Sequence, residues 1–122
     1  MRAMIERYIK AYNAFDVEGM LEVMAPEVVF ENVSGGERTV RTEGVDALRE
    51  LALQSAPLFK SRKQTILGYR EESDRAFVDI AFEGVFAVDL PGGIRAGQTL
   101  SLQGQSEFHV DRGRITYLAD RS

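Results

Sequence analysis

Apolar residues recur at helical spacing through most of positions 1–56 and at strand spacing from about 62 to the end. A chain that changes period once, from near 3.6 to 2, gathers its helices at one end and its strands at the other. Helices followed by antiparallel strands predict an α+β fold, with the helices packed on one face of a curved sheet. At 122 residues, with no repeat, low-complexity tract or linker, residues 1–122 are expected to form one domain.

The helical pattern is clearest at the start. Ile5, Tyr8, Ile9, Tyr12 and Phe15 share one face, with Glu6, Arg7, Lys10 and Asn13 opposite. Asp16 is placed to cap a second helix whose apolar side is Val17, Met20, Leu21 and Met24, and Pro26 is expected to close it. Positions 27–33 alternate and are rich in β-branched residues, which predicts a strand carrying Val28, Phe30 and Asn32 on one face. Ser34, Gly35 and Gly36 read as a turn or loop. A third helix is expected over about 45–56, burying Val45, Leu48, Leu51, Ala52 and Leu53, with Pro57 after its end. Strands are then predicted at 62–71, 76–90, 98–110 and 114–121. The second of these puts Val78, Ile80, Phe82, Phe86 and Val88 on one face, and the third Leu100, Leu102, Phe108 and Val110. Pro91-Gly92-Gly93 and Asp111-Arg112-Gly113 make the reversals.

Composition excludes several classes of function. The net charge of −4, with basic residues scattered and only Lys60, Arg62 and Lys63 grouped, argues against nucleic acid as a partner. Without cysteine there is no disulfide, thiolate nucleophile or thiolate metal site. The single histidine, His109, has no companions at metal-ligand spacing, so neither a metal nor another cofactor is expected. Charges break every apolar run of the N-terminal decapeptide, and no stretch approaches about 20 apolar residues. A signal peptide and a membrane span are therefore not expected, and a cytoplasmic location is.

Strand alternation selects the polar side chains that share the apolar faces. They are Asn32 beside Val28 and Phe30, Ser106 beside Leu102 and Phe108, and Asp120 beside Thr116 and Leu118, with Tyr8 joining from the first helix. If the elements assemble as predicted, these groups converge on one cavity, lined further by Met24, Phe30, Phe59, Phe82 and Leu118. A largely apolar pocket with a few convergent polar groups suits a small apolar ligand. His109 falls on the opposite face with Gln103, Gln105 and Glu107, and Asp79, Glu83 and Asp89 read as outer-face charges.

The segment IERYIKAYNAFDVEGMLEVMAPEVVFEN, residues 5–32, and the ending FHVDRGRITYLAD resemble the NTF2-like (SnoaL-like) family, whose cone-shaped, cystatin-like α+β fold covers a deep apolar cavity. The wording is similar to its ketosteroid isomerase branch. That resemblance implies that Tyr8 matches a tyrosine donating a hydrogen bond to the substrate oxygen, and that Asn32 stands where the isomerases carry an aspartate base. Ser106 stands where they carry a neutral carboxylic-acid donor. An amide takes no proton at neutral pH, so isomerisation by that mechanism is not expected. The epoxide-hydrolase version of the fold needs two inward aspartates bridged by an arginine, and only Asp120 is inward on the closing strands.

Asp120 is thus the residue left for acid–base work, unless it is merely solvated at a strand end. Tyr8 is a ligand hydrogen-bond donor or a core tyrosine, and Asn32 orients a ligand or caps a turn. Ser106 has no base beside it and reads as a small residue that leaves space. Two functions follow. One is a protein that binds a small apolar molecule and catalyses isomerisation, cyclisation or dehydration. The other is a non-catalytic binding or assembly module with a filled cavity. The outward strand face, with Ala81, Val85, Ala87, Ser101, Gln103, Gln105, His109 and Tyr117, is poor in Lys, Glu and Arg and predicts a homodimer through that face.

Overall fold

A computed structural model describes all of residues 1–122. Three α-helices, α1 (Arg2–Asn13), α2 (Val17–Leu21) and α3 (Val45–Ser55), pack on a six-stranded sheet. The strands are β1 (Met24–Ser34), β2 (Glu37–Glu43), β3 (Phe59–Glu72), β4 (Arg75–Phe86), β5 (Thr99–Asp111) and β6 (Arg114–Arg121). Their spatial order is β2-β1-β6-β5-β4-β3, antiparallel everywhere except between β1 and β6. This is the predicted α+β architecture. No helix is long and apolar enough to cross a membrane.

The amphipathic face read for α1 is the buried one: Ile5, Tyr8 and Ile9 are enclosed, and Tyr12 is half-buried. Phe15 takes a positive φ of 58° at the break, and the Asp16 carboxylate then accepts from Gly19 N at 2.9 Å, the expected N-cap. The far end of α1 is clamped to β3. Asn13 exchanges two hydrogen bonds with the Gln64 backbone, at 2.7 and 3.1 Å, so this outer-face residue is a fastener rather than a solvated one.

Three local expectations are corrected, and one strand is added. The second helix stops at Leu21, and Met24 already opens β1, so Pro26 does not end the helix. It lies within β1 where the pairing with β6 slips between Met24 and Val29, a place where its missing N–H is not needed. Gly35-Gly36 make the expected turn, but it closes a hairpin: Glu37–Glu43, which carried no prediction, is an edge strand whose polar sequence masks its alternation. Leu53 is 55% exposed because α3 buries only the side carrying Leu48 and Ala52. Val88 lies beyond β4 in the loop and is 39% exposed.

Register shifts in β1, β3 and β6 pairing bend the sheet around the helices. Two close approaches require glycine. A Cβ on Gly84 would sit 2.8 Å from the Phe59 ring, which stacks at 5.0 Å on Phe86 and meets Phe82 edge-on at 5.7 Å. A Cβ on Gly104 would fall 2.2 Å from the Arg121 carbonyl oxygen, so glycine lets β5 pass the end of β6. The core between helices and sheet centres on Ile5, Val28, Val78, Phe108, Ile115 and Leu118, all at or near zero exposure.

Candidate functional site

The sheet register brings the inward polar residues into one row. Asn32 of β1 is opposite Asp120 of β6, and Asp120 is opposite Ser106 of β5. Three strands far apart in sequence therefore deliver an amide, a carboxyl and a hydroxyl side by side, as their shared phase predicts.

Two recesses meet at this row. The first, of about 290 Å³, lies under the helices and is lined by Tyr8, Tyr12, Met20, Phe30, Leu48, Leu51, Phe59 and Arg62 among others. The second, of about 230 Å³, opens toward β4 and β5 and is lined by Gln64, Ile80, Phe82, Leu102, Gly104 and Ser106 among others. Tyr12, Asn32 and Asp120 belong to both. They form the shared wall of a two-lobed site.

Asp120 is the pivot. Its Oδ1 accepts a hydrogen bond from Ser106 Oγ at 2.7 Å. Asp120 is half-buried and borders both lobes. Burial raises its pKa above the usual carboxylate value, and the Ser106 bond pulls part of the way back because it favours the ionised form. Ser106 is itself buried, and it holds the carboxyl rather than merely leaving space.

Tyr8 is 5% exposed, packs edge-on to Phe108 at 5.9 Å, and lines the wider lobe. Burial pushes its phenol well above the ordinary value, and nearby Asp120 pushes the same way, so it remains a proton-bearing donor. The Asn32 amide donates to Thr39 Oγ1 at 2.9 Å and Ser34 Oγ at 3.3 Å, which ties it to the β1–β2 turn while it faces both lobes. Phe30 and Phe59 line the wider lobe and Phe82 the other. Met24 and Leu118, expected in the lining, are packed in the core and border neither lobe. Met20, one helical turn earlier, takes the place expected of Met24.

Sequence reasoning missed Arg62. The sequence groups it with Lys60 and Lys63 only as a small basic cluster, yet it is 6% exposed and lines the wider lobe. The signal was present: Arg62 and Gln64 share the phase of Ile66 on β3, which is the inward one. Its guanidinium lies 3.8 Å over the Tyr12 ring and 4.6 Å over Phe15, and Nε donates to the Tyr12 carbonyl at 2.9 Å. Desolvation lowers its pKa, although a guanidinium remains charged under all ordinary conditions. His109 is on the outer face as expected, 2.5 Å from Glu107 and with its ring tilted against Tyr117 at 4.6 Å; the Tyr117 hydroxyl donates to Glu31 at 3.0 Å.

Helices on a bent six-stranded sheet, enclosing a cavity that ends at inward polar residues of β1, β5 and β6, define the NTF2-like, ketosteroid-isomerase-like class. Residues 5–118 match the SnoaL-like domain, and the chain belongs to that family. A candidate polyketide cyclase from Xanthomonas campestris pv. campestris is 22% identical and superposes with a TM-score of 0.85, covering 99% of this chain and 88% of the other. IdmH, a candidate polyketide cyclase from Streptomyces antibioticus, is 17% identical with a TM-score of 0.80, covering 98% and 88%. An NTF2-like protein of unknown function from Burkholderia pseudomallei is 15% identical with a TM-score of 0.79, covering 98% and 87%. At these identities the likeness is one of fold. No curated protein matches the chain by sequence.

Proposed function

We propose that the chain binds a small, largely apolar carbonyl compound across the two lobes and moves a proton on it, as in isomerisation, cyclisation or dehydration. The observation that carries this is the Asp120 carboxyl at the meeting point of the lobes, oriented by Ser106 and made a stronger base than a solvated carboxylate by desolvation. A carboxyl tuned upward is better matched to exchanging protons near neutral pH than a solvated one.

In this reading Asp120 takes the proton from the carbon next to the carbonyl and returns it to another atom of the same molecule. The electron pair left behind moves onto the carbonyl oxygen. Tyr8, held neutral by burial, donates a hydrogen bond to that oxygen as its charge grows. Asn32 faces both lobes and orients the polar end of the ligand. Two structural neighbours that are candidate polyketide cyclases support a substrate with several carbonyl groups.

A thermal-shift screen against hydrophobic carbonyl compounds tests the binding, since a ligand held only by the native state raises the midpoint. Conversion of any hit should vanish in Asp120→Asn while binding persists. Full activity in that variant would remove Asp120 from the mechanism and give precedence to a binding module.

The homodimer belongs to the same proposal. The outer sheet face joins Ala81, Gln103, His109 and Tyr117 to a half-buried network in which Glu107 binds both His109 and Arg121 at 2.9 Å or less. Such a surface, polar yet pre-paired, suits burial against a second copy.

A further inference from the structure

We propose that Arg62 is an anion-recognition residue of the wider lobe, and that the natural ligand is an acid: an apolar body bearing a carboxylate or a comparably anionic oxygen. This deepens the small-molecule reading above and rests on it.

Arg62 sits mid-strand on β3 at 6% exposure, and no Asp or Glu forms an ion pair with it. Its Nε is used to hold the end of α1 through the Tyr12 carbonyl, and two aromatic faces cover the guanidinium. Nη2 is buried and has no acceptor. A cation withdrawn from water with a hydrogen-bond donor left over is a costly arrangement unless something supplies the missing acceptor.

The lobe that Arg62 lines is where such an acceptor can enter. The other ionisable groups facing it are Tyr8, Tyr12 and Asp120. Both phenols are held protonated by burial, and Asp120 is turned to Ser106. None neutralises Arg62. Met20, Phe30, Leu48, Leu51 and Phe59 supply an apolar surround, so only one end of a ligand needs to be charged. A planar guanidinium fork matches a carboxylate, and charge-assisted hydrogen bonds in a desolvated site are about twice as strong as neutral ones.

The test uses 2-naphthoate and its neutral isostere 2-naphthamide, titrated calorimetrically near pH 7.5 into wild-type protein, Arg62→Gln and Arg62→Lys. Wild type is expected to prefer the carboxylate by about tenfold or more, as one charge-assisted pair would give. Arg62→Gln should lose that preference while still binding the amide, and Arg62→Lys should retain part of it. Should the glutamine variant fail to fold, the wild type decides alone: Arg side-chain nitrogen resonances of Arg62 must move with naphthoate and not with naphthamide. Equal affinity for both probes in wild type overturns the anion proposal and leaves the cavity reading standing. Binding of neither probe overturns the cavity reading and the anion proposal with it.

Discussion

Replacing Ser106 by alanine deletes one hydrogen bond and little else, which makes it the sharpest probe of Asp120. The bond is 2.7 Å long and buried, and its acceptor is the group whose ionisation is in question. A hydrogen bond to an ionised partner contributes about 1.5–3 kcal/mol, and one between neutral groups about 0.5–1.5 kcal/mol. Asp120 borders the lobes, so water can reach the freed oxygen, and the lower ends of both ranges apply. Ser106→Ala should then cost roughly 1.5 kcal/mol where Asp120 is ionised and roughly 0.5 kcal/mol where it is protonated. Its folded pKa is raised by burial, so a melt in acid, below the ordinary carboxylate value, samples the protonated carboxyl, and a melt at alkaline pH samples the state in which it is most nearly ionised. The difference of about 1 kcal/mol corresponds to about 4 °C in Tm for a domain of this size. Calorimetric melts of both proteins at the two pH values give the number. Carboxyl-carbon NMR of Asp120 should show its pKa rising further in the variant, since the bond that favoured the charged form is gone. A Tm loss that is equal at both pH values, or larger in acid, would mean that the Ser106 bond does not discriminate the two states of Asp120, and the reasoning would fall.

Asp120→Asn should make the protein more stable than wild type at neutral pH. A carboxyl whose folded pKa exceeds its unfolded value keeps a proton that the unfolded chain has released. Stability is therefore lost as pH rises from the unfolded value, about 3.9, through the folded one, and the variant escapes that loss. Urea midpoints should converge below about pH 4; a constant offset across pH would count against it. Turnover of a β,γ-unsaturated ketosteroid should fall at least about 10²–10⁴-fold below that of a true isomerase, because Asn32 offers an amide where a base is needed. A comparable rate would mean that another group serves as base. Sedimentation at micromolar concentration should give a dimer, and Ala81→Arg on the outer face should give a monomer with an unchanged circular dichroism spectrum. A monomeric wild type would refute the interface.

Much of this was legible because period-2 alternation fixes the side of the sheet on which a residue falls. Asn32, Ser106 and Asp120 could be placed together from phase alone, and the register sets them in one row. Phase fails where the strand is irregular. Met24 was read onto a helix because its spacing from Met20 and Leu21 is helical, and Glu37–Glu43 went unread because its inward face carries only Val40 and Thr42, too little apolar signal to show the alternation. Arg62 was lost for a different reason. Its phase pointed inward, but its charge and basic neighbours argued outward, and only the stacked rings of Tyr12 and Phe15 explain how a guanidinium stays inside.

The position of β6 sets the order in which this molecule can come into being. It is the sixth strand in sequence yet lies between β1 and β5, and its parallel pairing with β1 joins distant segments, Met24 with Ile115 and Val29 with Tyr117. The β1–β2 hairpin and the β3–β4–β5–β6 meander are each built from neighbours in sequence, and the β1–β6 pairing alone joins the two. Contacts of such long sequence separation are made late and slowly, after the loop entropy has been met. Asp120 arrives with that strand. The wall shared by the two lobes, with Asn32 from β1 and Asp120 from β6, is therefore complete only once that pairing forms.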